Sequence, residues 1–544
     1  MCGICGIIDL ADKYSPDQRV TWVKAMNQAI LHRGPDAGGN YDDNHCALAM
    51  RRLSIIDLDN GTQPIFNETQ DIGVFFNGEI YNYRELRAEL IAEGHQFTTQ
   101  SDTEVLVHLY ESYGTAMLKR LRGMFAFCLF DKKQQTYLLA RDKNKKKPLF
   151  YHWQDRVLTF SSELTSLLQQ SALPRRLNQA ALPYYFRTSL LPEPMTMFAD
   201  VYSLPPGHFM EISQAEMRIE PYFQIKYETN HALKTKADAI AFIQPHLEKA
   251  VQRQRISDVP LGAFLSGGID SSSLVALLQK NSAQPIQTFN ARFEDAAFDE
   301  SKIARQVAER WGTEHHELVI PNYDFTEDLF WTIIDSVGQP FRDSSAIPTY
   351  LLTREIRKHV KVAISGDGGD ELFGGYDIFQ WYQKIIKLKQ VPKGLRQFGN
   401  YSLSWLQQFR FSQQFEKIRQ IKRGVATSLQ PLDDIPIALN EFFTAQEIGA
   451  FLPANQMDDF VKLKSYPPHI CNHSPLRKIM YYRAQHTLPG NMLVKVDRMS
   501  MANSLEVRAP FLDPDLFAAA AQLPDRFLIQ NGKGKYLLRQ MMEK

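Results

Sequence analysis

The rhythm of apolar residues changes near residue 225, and no single sheet or bundle accommodates both patterns. Before it, short apolar or β-branched runs follow one another: CALAMRRLSIID (46–57), DIGVFFNGEIYN (71–82), GMFAFCLFD (123–131) and QTYLLARD (135–142). Runs of this length broken by NG, DN and RD turns predict stacked antiparallel sheets with a few helices. SDTEVLVHLYESYG (101–114) predicts one such helix, capped by Ser101 or Asp102, with Glu104 in its first turn. A proline-rich passage, SLLPEPM then YSLPPGH, leads into IKYETNHALKTKADA (225–239), which is polar and has no strand pattern. Beyond it strand and helix alternate through VPLGAFL (259–265), SSLVALLQK (272–280), IQTFNARF (286–293), ESKIARQVAERWG (300–312) and KVAIS (361–365). That alternation predicts a parallel sheet of βαβ units. The expected organisation is an α+β unit of stacked antiparallel sheets flanked by helices over 2–215, then an α/β unit over 235–544.

Composition narrows the function classes. The 544 residues are 44% hydrophobic and 23% charged, an ordinary globular balance. A formal net charge of +1 gives no global field toward nucleic acid or an anionic membrane, so neither is an expected partner. No apolar stretch reaches the ~18 residues of a spanning helix, and the N-terminus lacks a signal-peptide pattern. The five cysteines (2, 5, 46, 128, 471) are odd in number and scattered, which predicts a reducing, cytoplasmic home. Residues 378–470 are basic and aromatic, as in FQWYQKIIKLKQ. The bases alternate with core-type residues, so amphipathic helices with a solvated face are expected rather than a nucleic-acid surface. An oligomeric state is not legible, and a homodimer is permitted.

The chain opens MCGICGII. Three readings compete for Cys2. C-G-I-C is formally a C-x-x-C pair, but a tetrahedral metal site needs two further ligands, and only His45 and Cys46 stand adjacent to one another. Two buried thiols in a strand is the bland reading. The third uses position: with Met1 removed, Cys2 carries a thiol and a free α-amine. That amine titrates near 7.7–8.0 and can serve as the thiol's own general base. A thiolate attacking an amide needs oxyanion donors, which the Asn77 side chain and Gly78 N–H could supply. Arg52 suits the α-carboxylate of a glutamine substrate, and Glu79 and Asp102 suit its α-ammonium. Each has a dull alternative: a surface ion pair for Arg52, a hairpin turn for Asn77-Gly78, a helix cap for Asp102.

MCGICG, HRGPDAGG (32–39), RRLSIIDL, NGEIYN, SDTE and GMFAF together resemble the class II glutamine amidotransferase domain of the N-terminal-nucleophile hydrolases. The resemblance covers most of residues 1–210. It implies that Cys2 is the nucleophile, that Asn77 and Gly78 form the oxyanion hole, and that Arg52, Ile55, Asn77, Glu79 and Asp102 hold glutamine. One motif departs. Relatives usually carry R-D-x-x-G-x-K-P-L, whereas this chain reads RDKNKKKPLF, with Lys145 where glycine is expected. If that turn needs positive φ, lysine costs about 1 kcal/mol unless Asn144 shifts into the role. The KNKKK run reads equally as a solvated loop or as an altered contact between units.

GAFLSGGIDSSSLVALL places a glycine-rich loop between strand and helix. Backbone N–H groups freed at Gly267 and Gly268, with the helix N-terminus, suit an anion. It is not the G-x-x-x-x-G-K-[ST] loop. Asp270 is placed in the loop to take Mg²⁺, with Ser266, Ser271 and Ser272 as further donors. SGDGGDELFGGY (365–376) repeats the layout after a second strand and adds Asp370 at the sheet's C-terminal edge.

SGGIDSS resembles the pyrophosphate loop of ATP pyrophosphatases. With SGDGGDELFGGY, PFRDSSAIPTYLL (340–352) and VKVDRMSMANSLEVRAPFLD (494–513), the second half looks like an asparagine synthetase domain. The resemblance implies ATP as substrate, surrounded by Leu265, Ser266, Gly267, Gly268, Asp270, Ser271, Ala291, Ser365 and Gly366, and Mg²⁺ on Asp270 and Asp370. Asp367 matches a position linked with forming the acyl-adenylate, and Lys495 and Arg498 are candidate cations for the phosphates or the intermediate. The expected reaction is glutamine-dependent amidation of aspartate through β-aspartyl-AMP, yielding asparagine, AMP, pyrophosphate and glutamate. Two features pull the other way. The sequence stops at GKGKYLLRQMMEK, where relatives continue; if that segment shields the acceptor site, activity falls. Arg342 stands where a small residue is common, and Gln339 where an acidic one often precedes the proline. An added cation there would admit another carboxylate, such as a uronic acid or a peptide or antibiotic precursor. The remaining alternative is a degenerate nucleotide-binding or glutaminase-only member.

Overall fold

The computed structural model describes residues 2–293, 299–320, 326–406, 415–453 and 468–543. Its first two sheets are wholly antiparallel. Along the chain their strands are β1 (Gly3–Asp9), β2 (Ala37–Asp42), β3 (Cys46–Arg52), β4 (Ile65–Phe66), β5 (Ile72–Ile80) and β6 (Gly123–Asp131). There follow β7 (Thr136–Arg141), β8 (Phe150–Gln154), β9 (Val157–Ser161), β10 (Val201–Ser203), β11 (His208–Ile212) and β12 (Met217–Pro221). One sheet runs in the order β10-β8-β9-β1-β3-β2, the other β12-β11-β7-β6-β5-β4.

The two sheets stack, and helices cover both outer faces. In β1, Ile4 and Ile8 pack with Phe75, Ala126 and Cys128 of the second sheet, whereas Cys5 and Ile7 meet Val23, Met26 and Ile30 on and beside helix α1 (Pro16–Ala29). In β6, Phe125, Phe127 and Leu129 point the other way, onto α2 (Tyr83–Ala92) and α3 (Glu104–Tyr113). Strands buried on both faces need no polar alternation, which is why their sequences read as continuous apolar runs. The same period of two puts Cys2 and Cys5 on opposite faces of the first sheet, so the C-x-x-C reading fails.

Two local expectations are overturned. Asn77 and Gly78 lie inside β5 rather than in a hairpin turn, and Gly78 is needed because a Cβ there would stand 2.1 Å from the Met124 carbonyl oxygen. Thr103 occupies the cap position of α3 without a side-chain bond; Asp102 instead accepts from Ile80 N at 2.7 Å.

The third sheet is parallel throughout, in the order β15-β14-β13-β16-β17. Its strands are β13 (Leu261–Phe264), β14 (Gln287–Phe293), β15 (Glu314–Ile320), β16 (Val362–Ile364) and β17 (Glu506–Arg508). Helices cover both faces: Leu274, Val275 and Leu278 on one, Ile356 and Val360 on the other. Because neighbouring strands point the same way, the loops after β13 and β16 emerge at one edge. The stretch expected to be amphipathic helices is helical over Asp377–Leu388, Lys393–Leu406 and Phe415–Leu429; residues 407–414 and 454–467 of it lie outside the described residues. Among the described residues no helix is long and apolar enough to cross a membrane.

Candidate active sites

Cys2 sits immediately before β1, buried, with both its backbone groups held. Its N donates to Asn77 Oδ1 at 3.1 Å, and its carbonyl accepts from Arg33 Nε at 3.0 Å. Burial pushes the thiol pKa up, against the Leu53 N–H and the Arg52 guanidinium, so the sulfur stays protonated unless a base takes its proton. Asn77 Nδ2 makes only a long contact, 3.5 Å to Ser162 Oγ.

Arg52 donates to the carbonyls of Ile56, Asp57 and Leu58 at 3.0, 2.6 and 3.3 Å, shaping the loop that follows Ile55. Those bonds use Nη1 and Nη2, leaving Nε–H and one Nη1–H for a ligand. Glu79 is buried and faces Arg508 at 3.3 Å; burial, then the neighbouring Glu506, push its carboxyl well above the usual range. Burial likewise pushes Asp102 up to about 6, although the Ile80 N–H opposes it. Of the residues the resemblance implied for glutamine, Asn77 is bonded to Cys2, and the charges of Arg52 and Glu79 act on its thiol.

The junction between the halves is ionic and buried. Arg33 grips Asp497 with two bonds, 2.9 and 3.1 Å, and Glu163 with a third at 2.8 Å. Arg498 donates to Glu163 at 3.1 Å and to Ser162 O at 3.2 Å. That corrects the expectation for Arg498: this side chain is committed to the junction and does not line the phosphate cleft. Lys145 takes up the positive φ itself, at +60°, and pairs with Glu193. The KNKKK run is no solvated loop. Lys143, Lys146 and Lys147 are buried, and Asn144 Nδ2 reaches Leu512 O at 2.7 Å and Lys146 Nζ Ala509 O at 3.3 Å. Burial brings the Lys143 and Lys146 ammonium groups down to about 8.

A second site forms where β13 and β16 end. Ser266, with Asp270 and Ser271 of the helix that follows it, faces Ser365, Gly366 and Asp367, with Asp370 of the next short helix, across a cleft that also admits Lys495. Asp270 lies in the first turn of helix Ile269–Lys280 rather than in the loop before it. Gly267 has φ +79°, a conformation glycine adopts freely, and Leu265 is tied to β14 by its N–H on Phe289 O at 2.8 Å. Ala291 stands near the C-terminal end of β14 and does not line the cleft. Ser365 Oγ donates to Asp367 at 2.6 Å, and Lys495 Nζ to Ser345 Oγ at 2.9 Å.

Asp270 Oδ1 is buried with no hydrogen-bond partner, an orphan acceptor beside the second carboxylate. An all-oxygen pair of this kind fits Mg²⁺. Lys535 Nζ lies between them, 2.5 Å from Asp270 and 2.7 Å from Asp370, and would have to turn aside. A Cβ on Gly369 would stand 2.6 Å from Asp270 Cγ. Gly369→Ala should therefore displace that carboxylate and raise KM for ATP roughly tenfold, the size of a 1–3 kcal/mol overpacking cost, in steady-state kinetics.

Arg33, Glu163, Asp497, Arg508, Lys535 and Glu371 were not foreseen as site residues. Arg33, Glu371, Asp497 and Arg508 lie inside recognisable motifs, but nothing local signals their partners. Glu371 lines the cleft, accepts from Tyr376 OH at 2.8 Å, and is pushed up to about 7 by burial. Arg342 does not line the cleft: its guanidinium stacks on Phe442, 3.5 Å from the ring centre, and Gln339 accepts from Met197 N. Arg342, the cation expected beside an acceptor pocket, is not among the residues that line this cleft.

Comparison with known proteins agrees with this layout. The glutamine amidotransferase domain family matches residues 1–223 and the asparagine synthase family residues 243–544. Asparagine synthetase [glutamine-hydrolyzing] 1 of Bacillus subtilis is 35% identical over 550 residues, covering 100% of this chain and 84% of that protein. Asparagine synthetase [glutamine-hydrolyzing] 3 of the same organism is 28% identical, with coverage of 100% and 84%. The chain belongs to the glutamine-hydrolysing asparagine synthetase family of carbon–nitrogen ligases.

Proposed function

We propose that this chain hydrolyses glutamine at Cys2 and passes the ammonia to an aspartate activated as β-aspartyl-AMP, releasing asparagine, AMP, pyrophosphate and glutamate. One observation carries the coupling: Arg33 donates to the Cys2 carbonyl and grips Asp497 of the other half with the same guanidinium. The proposed units divide between Pro221, the end of the second sheet, and Lys236, the start of the next long helix.

In the first unit, removal of Met1 frees the amine of Cys2, which takes the thiol proton held by burial. The sulfur attacks the glutamine amide carbon. The developing oxyanion draws on Asn77 Nδ2, whose 3.5 Å contact to Ser162 is cheaply exchanged, and on Gly78 N–H. Ammonia leaves, and water releases glutamate from the thioester. Arg52 would take the substrate's α-carboxylate, and Glu79 and Asp102 its α-ammonium.

In the second unit, the N–H groups of the 266–268 loop and the following helix N-terminus cradle the pyrophosphate portion of ATP. Asp270 and Asp370 would hold Mg²⁺, which when bound neutralises phosphate charge. The aspartate side-chain carboxylate attacks the α-phosphorus, pyrophosphate departs, and ammonia then displaces AMP from the acyl carbon. Glu371 offers a proton acceptor poised near neutrality. Tyr81, Met124 and Met501 form a buried apolar contact at the junction, suited to keeping ammonia uncharged in transit. The free cysteines suit a reducing, cytoplasmic setting.

The test is pyrophosphate release with glutamine and ATP, with and without aspartate. Aspartate-dependent release with one AMP per pyrophosphate is expected; ADP as product, or release only with another acid, overturns the reading. Asp270→Asn should lower AMP formation about 100-fold or more, the effect of losing a few kcal/mol of charge stabilisation, while glutaminase activity persists.

A further inference from the structure

Outside both sites, Glu68, His95, His108 and Glu111 converge, their nearest ligating atoms all within 4.8 Å of one another. Glu68 comes from the β4–β5 turn, His95 from the connection between α2 and α3, and His108 and Glu111 from one face of α3. We propose that these four side chains form a tetrahedral site for a divalent d-block cation of the zinc type.

His108 carries the case. It is fully buried, and neither ring nitrogen has a hydrogen-bond partner. A buried imidazole ordinarily places its N–H on an acceptor, so an unpartnered pair calls for an explanation. Nδ1 faces Glu68 Oε2 at 3.3 Å, while Nε2 faces Glu104 Oε1 at 3.8 Å on the opposite side. A cation on Nδ1 satisfies the ring and directs its remaining N–H toward a carboxylate, the usual arrangement behind a metal-bound histidine. Glu104 is well fixed for that role by the N–H and hydroxyl groups of Thr98 and Thr99.

The other ligands are oriented in the same way. His95 Nε2 is engaged by Ser112 Oγ at 2.9 Å, leaving Nδ1 to face Glu68 Oε1 at 3.3 Å and Glu111 Oε2 at 3.8 Å. Gln96 N donates to Glu68 at 2.7 Å and Asn67 Nδ2 to Glu111 at 3.3 Å. Ligands about 2.0–2.1 Å from a tetrahedral ion stand roughly 3.4 Å apart; the imidazole–carboxylate separations here are 3.3, 3.3 and 3.8 Å, and small side-chain adjustments within the 4.8 Å cluster would bring the four atoms onto one ion. Two imidazoles with two carboxylates favour zinc over the all-oxygen cations Mg²⁺ and Ca²⁺. Glu68 and Glu111 are exposed, so an ion reaches the site from solvent. Bound there, it would staple the β4–β5 turn and the α2–α3 connection to α3.

The experiment uses the untagged full chain, stripped with a chelator and held in excess Mg²⁺, titrated with ZnCl₂ and, separately, CoCl₂. The expected results are one equivalent bound per chain, a higher melting temperature, and the intense visible bands of tetrahedral cobalt. His108→Gln tests the buried ligand. His95→Asn with Glu111→Gln, at less buried positions, keeps the test meaningful if that variant misfolds. Each should lose about tenfold or more in Zn²⁺ affinity and the cobalt bands. No stoichiometric binding by the unaltered chain, or binding that survives the double substitution, overturns the proposal.

Discussion

Replacing Cys2 by alanine is expected to lower glutamine-dependent asparagine formation by at least about 1,000-fold, since losing a nucleophile removes the whole covalent route. With ammonium chloride as nitrogen source, the same variant should run near the rate of the unaltered chain. No neighbouring thiol substitutes. Cys5 lies on the opposite face of β1, its Sγ directed at Val23 O at 4.0 Å, and burial raises its pKa far out of the useful range. Cys46 and Cys128 are also buried, with pKa values pushed up by burial. The measurement is glutamate and asparagine production with each nitrogen source. Equal loss with both would mean that Cys2 serves the structure of the junction rather than ammonia supply.

Arg33→Leu is expected to destabilise the chain by about 3–5 kcal/mol, the cost of removing one partner from a buried ionic network. The substitution takes the closest cation from Asp497 and Glu163, leaving Arg498 to face both, and frees the Cys2 carbonyl, so glutamine-dependent turnover should fall further than ammonia-dependent turnover. Chemical denaturation, together with the ratio of the two activities, reads both effects. The junction should also be acid-sensitive. Burial would raise the Glu163 and Asp497 carboxyls, but the basic groups around them, the His32 ring, Arg498 and Arg33 for the first and Arg33 and Arg498 for the second, outweigh it and hold both below the usual range. A carboxyl lowered on folding contributes its full stability above the unfolded value, near pH 4, and loses it as pH falls toward the folded one. Stability of the unaltered chain should therefore decline below about pH 4. In Arg33→Leu that decline should be shallower.

Much of what is proposed for both sites was legible from local signals. Cys2 is readable because its chemistry depends on chain position alone, and the SGGID loop because glycine, aspartate and serine between a strand and a helix describe a phosphate cradle without reference to distant residues. Lys145 shows where such reading stops. Its positive φ followed from the departed motif, but its Glu193 partner, 48 positions along, did not. Asn77-Gly78 looks like a turn pair, and only pairing against β6, where Gly78 meets Phe125, places it in mid-strand. Arg498, a candidate for phosphate, is claimed by Glu163, and Arg342, a candidate for the acceptor pocket, by Phe442.

The sequence by itself determined the two architectures, the chain position on which the proposed nucleophile rests and the two loops that share one sheet edge, because periodicity and backbone chemistry act over a few residues. Tertiary structure alone decided which charges are buried together. Arg33 and Asp497 are 464 positions apart, and Asp270 and Lys535 265 apart. Such pairs are selected by how sheets and helices stack, and by the need to partner every charge removed from water, which no local pattern encodes.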